Sequence, residues 1–343
     1  LKNARIHLHQ AHGALQVAEV AGVSVLTQEA ESIIERGERE EVAIDTEAVA
    51  ALKRALAAIT EYLEDLQAGS TLPPVVLFSF YRALLQLRQA ERIDPADLYF
   101  PDLSIQPPAL FGPQLSADGG ADTGVNAASA RREFERGLLG FLRGDDNPGA
   151  IRTMHGAMER MQAANPVRHA RAFFWMALAL LDALKHGALQ TDLYAKRLVA
   201  RVNIQARRSL ESQDPVADRM LKDLLFQLAR AQDSSPIAAE VRRHYRLAGS
   251  VPADFERVRY GLTDPALMRR AREATQLLKK SWEKIVRGSH KEGESFSDAA
   301  ADLCGAFREL PFAGLSALAA VIAAVLGALA SVSVTNDALS LEV

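Results

Sequence analysis

Asp45-Thr-Glu-Ala-Val-Ala-Ala-Leu-Lys-Arg-Ala-Leu-Ala-Ala-Ile-Thr-Glu-Tyr-Leu-Glu-Asp-Leu-Gln-Ala-Gly69 is the stretch on which the fold turns. Val49, Leu52, Leu56, Ile59 and Leu63 recur at steps of three and four, the period of one face of an α-helix. Asp45 stands where a helix N-cap belongs, and Glu47 places an acid in the first turn. Gly69 marks the stop. Alternation of period two is absent, and Ala and Leu, the strongest helix formers, dominate.

The same pattern extends to both sides. Ala4, Leu8, Ala11, Leu15 and Ala18 form an apolar stripe, and a second helix reads from about Ser24 to Arg36, stopped by Gly37. After Pro73-Pro74, a fourth helix carries Leu77, Phe80, Leu84 and Leu87. Four amphipathic helices on short loops predict an antiparallel bundle over residues 1–103. Gln106 to Asn126 is rich in Pro, Gly, Ser and Asp, so residues 104–128 read as a linker.

A second, larger helical region occupies 129–343, with helices expected at 129–143, 148–163, 166–186, 191–211, 215–232 and 235–247. Asn147-Pro148 and Asp214-Pro215 are cap signals with proline at the first helical position. Ser250 to Tyr260 is a connector, and a break near 248–263 would divide this region into two packed bundles. Asp264-Pro265 opens a long helix ending near Gly288. Two last helices read over 296–309 and 312–334. The fold class is all-α.

Composition narrows the function classes. The chain of 343 residues is 48% hydrophobic and 24% charged, the balance of a packed protein. One cysteine, Cys304, excludes a disulfide framework and a multi-cysteine metal site, and fits a reducing cytoplasm. The chain begins Leu-Lys-Asn without methionine, and Asp337 to Val343 reads as a helix just beginning. The expectation is a piece of a longer polypeptide.

Charge is uneven. Leu1 to Leu103 holds 9 basic and 16 acidic residues, and Arg131 to Lys291 holds 30 basic and 18 acidic. A basic half attracts nucleic acid or an acidic partner. No DNA-reading motif and no interleaving of aromatic with basic residues accompanies it, so nucleic acid is not expected. Leu310 to Asn336 is 27 positions without a charge, long enough to span a bilayer. Its Ala, Gly and Ser content and missing aromatic and cationic anchors argue instead for a small-residue helix buried in a bundle.

Catalytic patterns are missing. Gly119-Gly120 and Gly124 lie in the linker without a phosphate-loop context, no nucleophile elbow occurs, and Cys304 has no motif around it. Glu40-Glu41 and Asp145-Asp146 fall in turns. His7, His9 and His12 share one helix at i, i+2 and i+5, which is not the i, i+4 spacing of a two-histidine metal site, and no acid stands nearby at ligand spacing, so no metal or other cofactor is expected. The remaining histidines are scattered. His12 alone has a placement with chemical meaning. It falls at the edge of the apolar stripe in a row with Arg5, His9 and Gln16, where an imidazole facing solvent would reach an aspartyl phosphate.

These residues resemble a family. Leu8-His-Gln-Ala-His-Gly-Ala-Leu-Gln16, Ala21-Gly-Val23 and Arg92-Ile-Asp-Pro-Ala-Asp-Leu-Tyr-Phe-Pro-Asp-Leu-Ser104 look like the N-terminal region of the hybrid CheA-type sensor histidine kinases of type IV pili, the ChpA and PilL type, with FimL as a degenerate relative. Phe134-Glu-Arg-Gly-Leu-Leu139, Pro166 to Asp182 and Tyr260-Gly-Leu-Thr-Asp-Pro-Ala266 fit the same region. The resemblance implies histidine-phosphotransfer-like bundles ahead of a kinase core that this chain lacks. It makes His12 the phospho-acceptor candidate.

An active site of that type has Lys at +3 and Gly at +4 from the histidine. Here those positions are Leu15 and Gln16, so the cation that steadies a phosphoryl group is gone and the small residue is replaced by a long one. The resemblance therefore implies a non-catalytic signalling or docking region. Its partners would be response-regulator receivers and pilus or polar-hub adaptor proteins, in the cytoplasm and recruited to the cell pole. An active phosphotransfer domain and a stand-alone FimL-like adaptor are the alternatives.

Overall fold

The computed structural model describes residues 1–108, 122–144, 147–164, 170–211, 215–287, 293–310, 312 and 314–326. It bears out the all-α class: among the described residues every regular element is a helix. The middle of the expected linker, the end of the expected helix 312–334, the stretch from Asp337, and His169, His290 and Asp145-Asp146 lie outside the described residues. The chain divides into two compact units: Leu1–Ile44 with Thr71–Arg257, and Asp45–Ser70 with the chain from Val258 onward.

The first unit opens with α1 (Lys2–Val17) and α2 (Ala21–Glu38), an antiparallel hairpin. Between them Glu19 takes a left-handed conformation (φ +56°), and the Val20 amide donates back to the Leu15 carbonyl at 3.1 Å. The same closing turn, with an ordinary residue at the position that favours glycine, recurs at Glu40, Gln89 and Arg246. Gly37 does not stop α2, as its residue type predicted. The helix continues past it, and a Cβ there would sit 2.3 Å from the Ile44 side chain, so glycine admits the returning loop.

A short 3₁₀ turn at Pro74–Leu77, α4 (Phe78–Leu87) and a second 3₁₀ turn at Pro95–Leu98 complete the first part of this unit. The prolines sit at the first turn positions, where no backbone N–H is needed. Then follow α5 (Asp122–Arg143), α6 (Asn147–Ala164), α7 (Arg171–Lys185), α8 (Leu193–Glu211), α9 (Asp218–Arg230) and α10 (Pro236–His244). α5 begins inside the segment read as linker, since Asp122 to Ala128 continues the helix predicted from Ser129. Every residue of α7 from Phe173 to Leu184 is buried, the mark of a helix at a core's centre. α6, α9 and α10 pack around it.

The second unit contains α3 (Thr46–Gln67), α11 (Pro265–Val286), α12 (Gly293–Glu309) and helical residues 314–326. The Asp45 carboxylate caps α3 as predicted, accepting from the Ala48 amide at 2.8 Å. Three acids on α3 hold the chain that leads into α11. Glu61 accepts from the Gly261 amide at 2.8 Å and the Thr263 hydroxyl at 3.1 Å, Asp65 from the Tyr260 hydroxyl at 2.9 Å, and Glu64 pairs with Arg272.

α11 and α12 join through Ala271, Ala274, Leu303, Ala306 and Leu310. Helical residues 314–326 rest on this pair through Leu315 and Ile322. They are not enclosed, as the composition predicted: Leu318, Val321 and Val325 are 45, 59 and 53% exposed. With one neighbouring helix pair, only the side chains at steps of three and four from Leu315 find cover.

Candidate functional site

The row on α1 that contains His12 faces α2. Arg5 pairs with Glu38 at 3.0 Å, His9 Nδ1 lies 2.9 Å from Glu31, and His12 Nδ1 lies 3.0 Å from the Ser24 carbonyl. The partners run 38, 31, 24 as the row runs 5, 9, 12, the register of an antiparallel helix pair. His12 is buried, 9% exposed, whereas the sequence placed its ring toward solvent.

The apolar stripe is turned from its predicted position. Ala4, Ala11 and Ala18 are exposed, while Leu8 and His12 are buried. Alanine loses little by facing water, and the polar groups of α2 reward a polar row on α1. The carbonyl at Ser24 accepts, so Nδ1 carries the proton. The Ser24 hydroxyl lies 3.2 Å from the same nitrogen. Leu15 and Gln16, the two departures from an active phosphotransfer pattern, are half-buried and exposed.

A denser set of charges surrounds the segment Arg92 to Ser104. Asp94 accepts from the Ala96 amide at 3.1 Å, capping its own turn, and pairs with Arg92 at 2.8 Å. Arg92 also reaches Asp223 on α9 at 3.1 Å, and Arg201 on α8 closes onto the same carboxylate. Asp97 pairs with Arg219 and receives the Tyr81 hydroxyl at 3.2 Å, while Lys222 donates to the Asp97 carbonyl at 3.1 Å.

The aromatic residues of this segment dock beside the charges. The Tyr99 ring meets Phe226 edge-on at 5.6 Å, its hydroxyl lies 3.1 Å from the Ser250 hydroxyl, and Lys222 stands 4.3 Å above the Phe100 ring. Burial raises the Asp97 carboxyl above the usual carboxylate range against the pull of Arg219 and Arg92. Burial also lowers the Lys222 ammonium. The segment that reads as a family signature is thus a clamp holding the turn at Pro95 to α8 and α9.

A third polar centre lies in the core. Asp182 on α7 is 3% exposed. Its carboxylate accepts from Ser235 Oγ at 2.6 Å and from the Ile237 amide at 3.1 Å, at the N-terminus of α10, where a negative charge meets free N–H groups. His155 Nε2 on α6 and His186 Nδ1 stand 3.5 and 3.2 Å from its other oxygen. Burial lowers the His155 pKa, aided by Lys185 and His186 and opposed by Glu159 and Asp182.

Serine, aspartate and histidine are all present here, but no nucleophile is built. Ser235 bonds the carboxylate directly, with no imidazole between them, and is fully buried. Sequence reading passed over Asp182 and Asp223. Asp182 had a legible signal, a lone acid inside the apolar run Phe173 to Leu184. Among the described residues no group of His, Cys, Asp and Glu is placed to hold a metal ion, and no helix is long and apolar enough to cross a membrane.

Comparison with known proteins finds two matches. Residues 119–258 match the family model described as the FimL scaffold protein second domain. Over 246 residues the chain is 26% identical to scaffold protein FimL of Pseudomonas aeruginosa. That match covers 70% of this chain and 43% of the relative, so it spans less than half of the relative's length. No solved structure matches. The family model and the relative both point to the scaffold protein, and neither carries the kinase context that the sequence resemblance implied.

Proposed function

We propose that this chain is a non-catalytic docking region that assembles protein partners in the chemotaxis-like signalling system of type IV pili. The observation that carries the reading is the similarity of 70% of the chain to a scaffold protein. The geometry supports it: the imidazole offered for phosphotransfer is packed against α2, and the buried acids join helices. Response-regulator receivers and pilus or polar-hub adaptors are the partners of this reading, with recruitment to the cell pole from the cytoplasm. Two contexts fit, the N-terminal region of a hybrid sensor kinase and a stand-alone FimL-like adaptor. The match to a scaffold protein favours the adaptor.

The test is phosphotransfer. The whole chain is incubated with a CheA-type kinase core, ATP and a receiver, beside a His12→Gln variant. The proposal expects no acid-labile label on either. Label on the wild type alone makes His12 a working phospho-acceptor and overturns it.

A further inference from the structure

α5 and α8 lie side by side and antiparallel. At one end Arg131 reaches Glu211 at 3.2 Å, and at the other the Lys196 ammonium stands 5.9 Å from the Phe141 ring centre. Their outward sides therefore form one continuous face.

Apolar exposure in this part of the molecule is confined to that face. Among the described residues from 122 to 257, the exposed large apolar side chains are Leu139, Leu142, Leu193 and Ile204, at 54, 43, 58 and 54%. All four stand on α5 and α8. Scattered single exposed leucines need no explanation, but a cluster on two adjoining helices does.

The charge on the same face is one-sided. Each described carboxylate of these helices already has a cation: Glu133 has Arg160, Glu135 has Arg131, and Glu211 has Arg131 and Arg207. Arg132, Arg136, Arg143, Arg197 and Arg208 are exposed and have no acidic partner among the described residues. Positions 132, 136, 139 and 143 share one side of α5, and 193, 197, 204 and 208 share one side of α8.

We propose that the outward face of α5 and α8 is a docking surface for an acidic amphipathic helix of another protein. The leucines and Ile204 take its apolar side, and the arginine forks take its carboxylates in paired hydrogen bonds. The face carries no exposed Trp, Tyr or Phe, the anchors that an interfacial membrane site uses and the platforms on which nucleic-acid bases stack. Its cations are arginines, which suit planar carboxylates. This inference rests on the scaffold reading above and names the chemistry of one partner.

The experiment measures binding of the whole chain to a fluorescein-labelled helical peptide with leucines along one side and glutamates on both flanks. A peptide with lysines in place of the glutamates is the control. Vesicles of phosphatidylglycerol with phosphatidylcholine and a duplex oligonucleotide are the competing probes. The expected result is saturable binding of the glutamate peptide that weakens with salt and falls at least about tenfold in Arg136→Glu/Arg197→Glu. Leu139→Ala should weaken it about fivefold, with helical content by circular dichroism unchanged in all variants.

Unchanged affinity in the charge-reversed chain, equal binding of the lysine peptide, or no binding overturns the proposal. Tighter binding of vesicle or oligonucleotide through the same arginines also overturns it, as does self-association that the charge reversal dissolves. These failures leave the scaffold reading standing. Phosphoryl label on His12 sinks the scaffold reading and leaves this face to be judged by its own titration.

Discussion

The His12 row on α1 and the Asp94 turn differ in what their residue types promise and in what they do. The first offers a nucleophilic side chain on a helix, the second a Pro-Ala-Asp-Leu-Tyr-Phe string that reads as a bend. Yet the His12 row is a simple ladder to one neighbouring helix, with rungs at Glu38, Glu31 and Ser24. The bend draws in Arg201 from α8 and Asp223, Arg219 and Lys222 from α9. A residue's chemical reputation says little about its part in a fold. What decides is how many elements its polar atoms must satisfy once water is excluded, and buried ions need more partners than a single ring nitrogen does.

Stability measurements test the difference between the two segments. The largest effect is expected at Asp223, 2% exposed, whose loss leaves Arg92 and Arg201 without their shared carboxylate. Asp223→Ala should cost about 3 kcal/mol in urea unfolding, the scale for removing one member of a buried pair. A cost near that of His12 substitution would remove the distinction between the two segments. Asp182→Ala should cost about 2 kcal/mol, because Ser235 and the first turn of α10 lose their acceptor.

His12→Ala should cost about 1 kcal/mol, one hydrogen bond to the Ser24 carbonyl and a modest packing loss on α1, where Leu8 and His12 are the buried residues. Glu40→Gly should stabilise by about 0.5–1 kcal/mol. Residue 40 holds a φ of +61° that glycine adopts without strain, and Glu40 forms no ion pair among the described residues.

The smallest effect concerns pH. His155 has its folded pKa lowered below the ordinary 6.5 by burial, so the folded chain binds fewer protons than the unfolded chain in that range. Its contribution is therefore full above the unfolded value and is lost as the pH falls below it. Urea midpoints taken from about pH 7.5 to about pH 5 should decline, and His155→Gln should flatten the decline. Asp182, Glu159, Lys185 and His186 all face this ring, and a slope unchanged in the variant would contradict the assignment to His155.

Much of the helical framework was legible because its signals are local. Asp45, Asp264 and the Asn147-Pro148 pair mark helix starts that the structure keeps. The faces of those helices were less legible. On α1, Ala4 and Ala11 were read as core, yet Leu8 and His12 are the buried pair, because the partners that α2 supplies are distant in sequence. Gly37 read as a stop, and its real service is to Ile44, which no helix rule connects to it. Helical residues 314–326 read as enclosed, but hydropathy measures preference for burial and says nothing of how many neighbours a helix obtains.

The candidate site was legible only as a residue name. The sequence singled out His12 on its helix, but the direction of its ring depends on Ser24 twelve positions on. The clamp around Asp94 was visible as a signature, while its partners at Arg201, Arg219 and Asp223 lie more than a hundred residues away. Long-range charge pairing of this kind leaves no mark in local spacing.

The packing of His12 within the α1–α2 hairpin underlies both the docking reading and the contrast between the two regions. Its most direct test is carbethoxylation of the native chain with diethyl pyrocarbonate, mapped residue by residue by mass spectrometry. Rapid modification of the exposed His7 and His9 is expected, with protection of His12 until the chain is unfolded in urea. Modification of His12 at the rate of His9 in the native chain would contradict it.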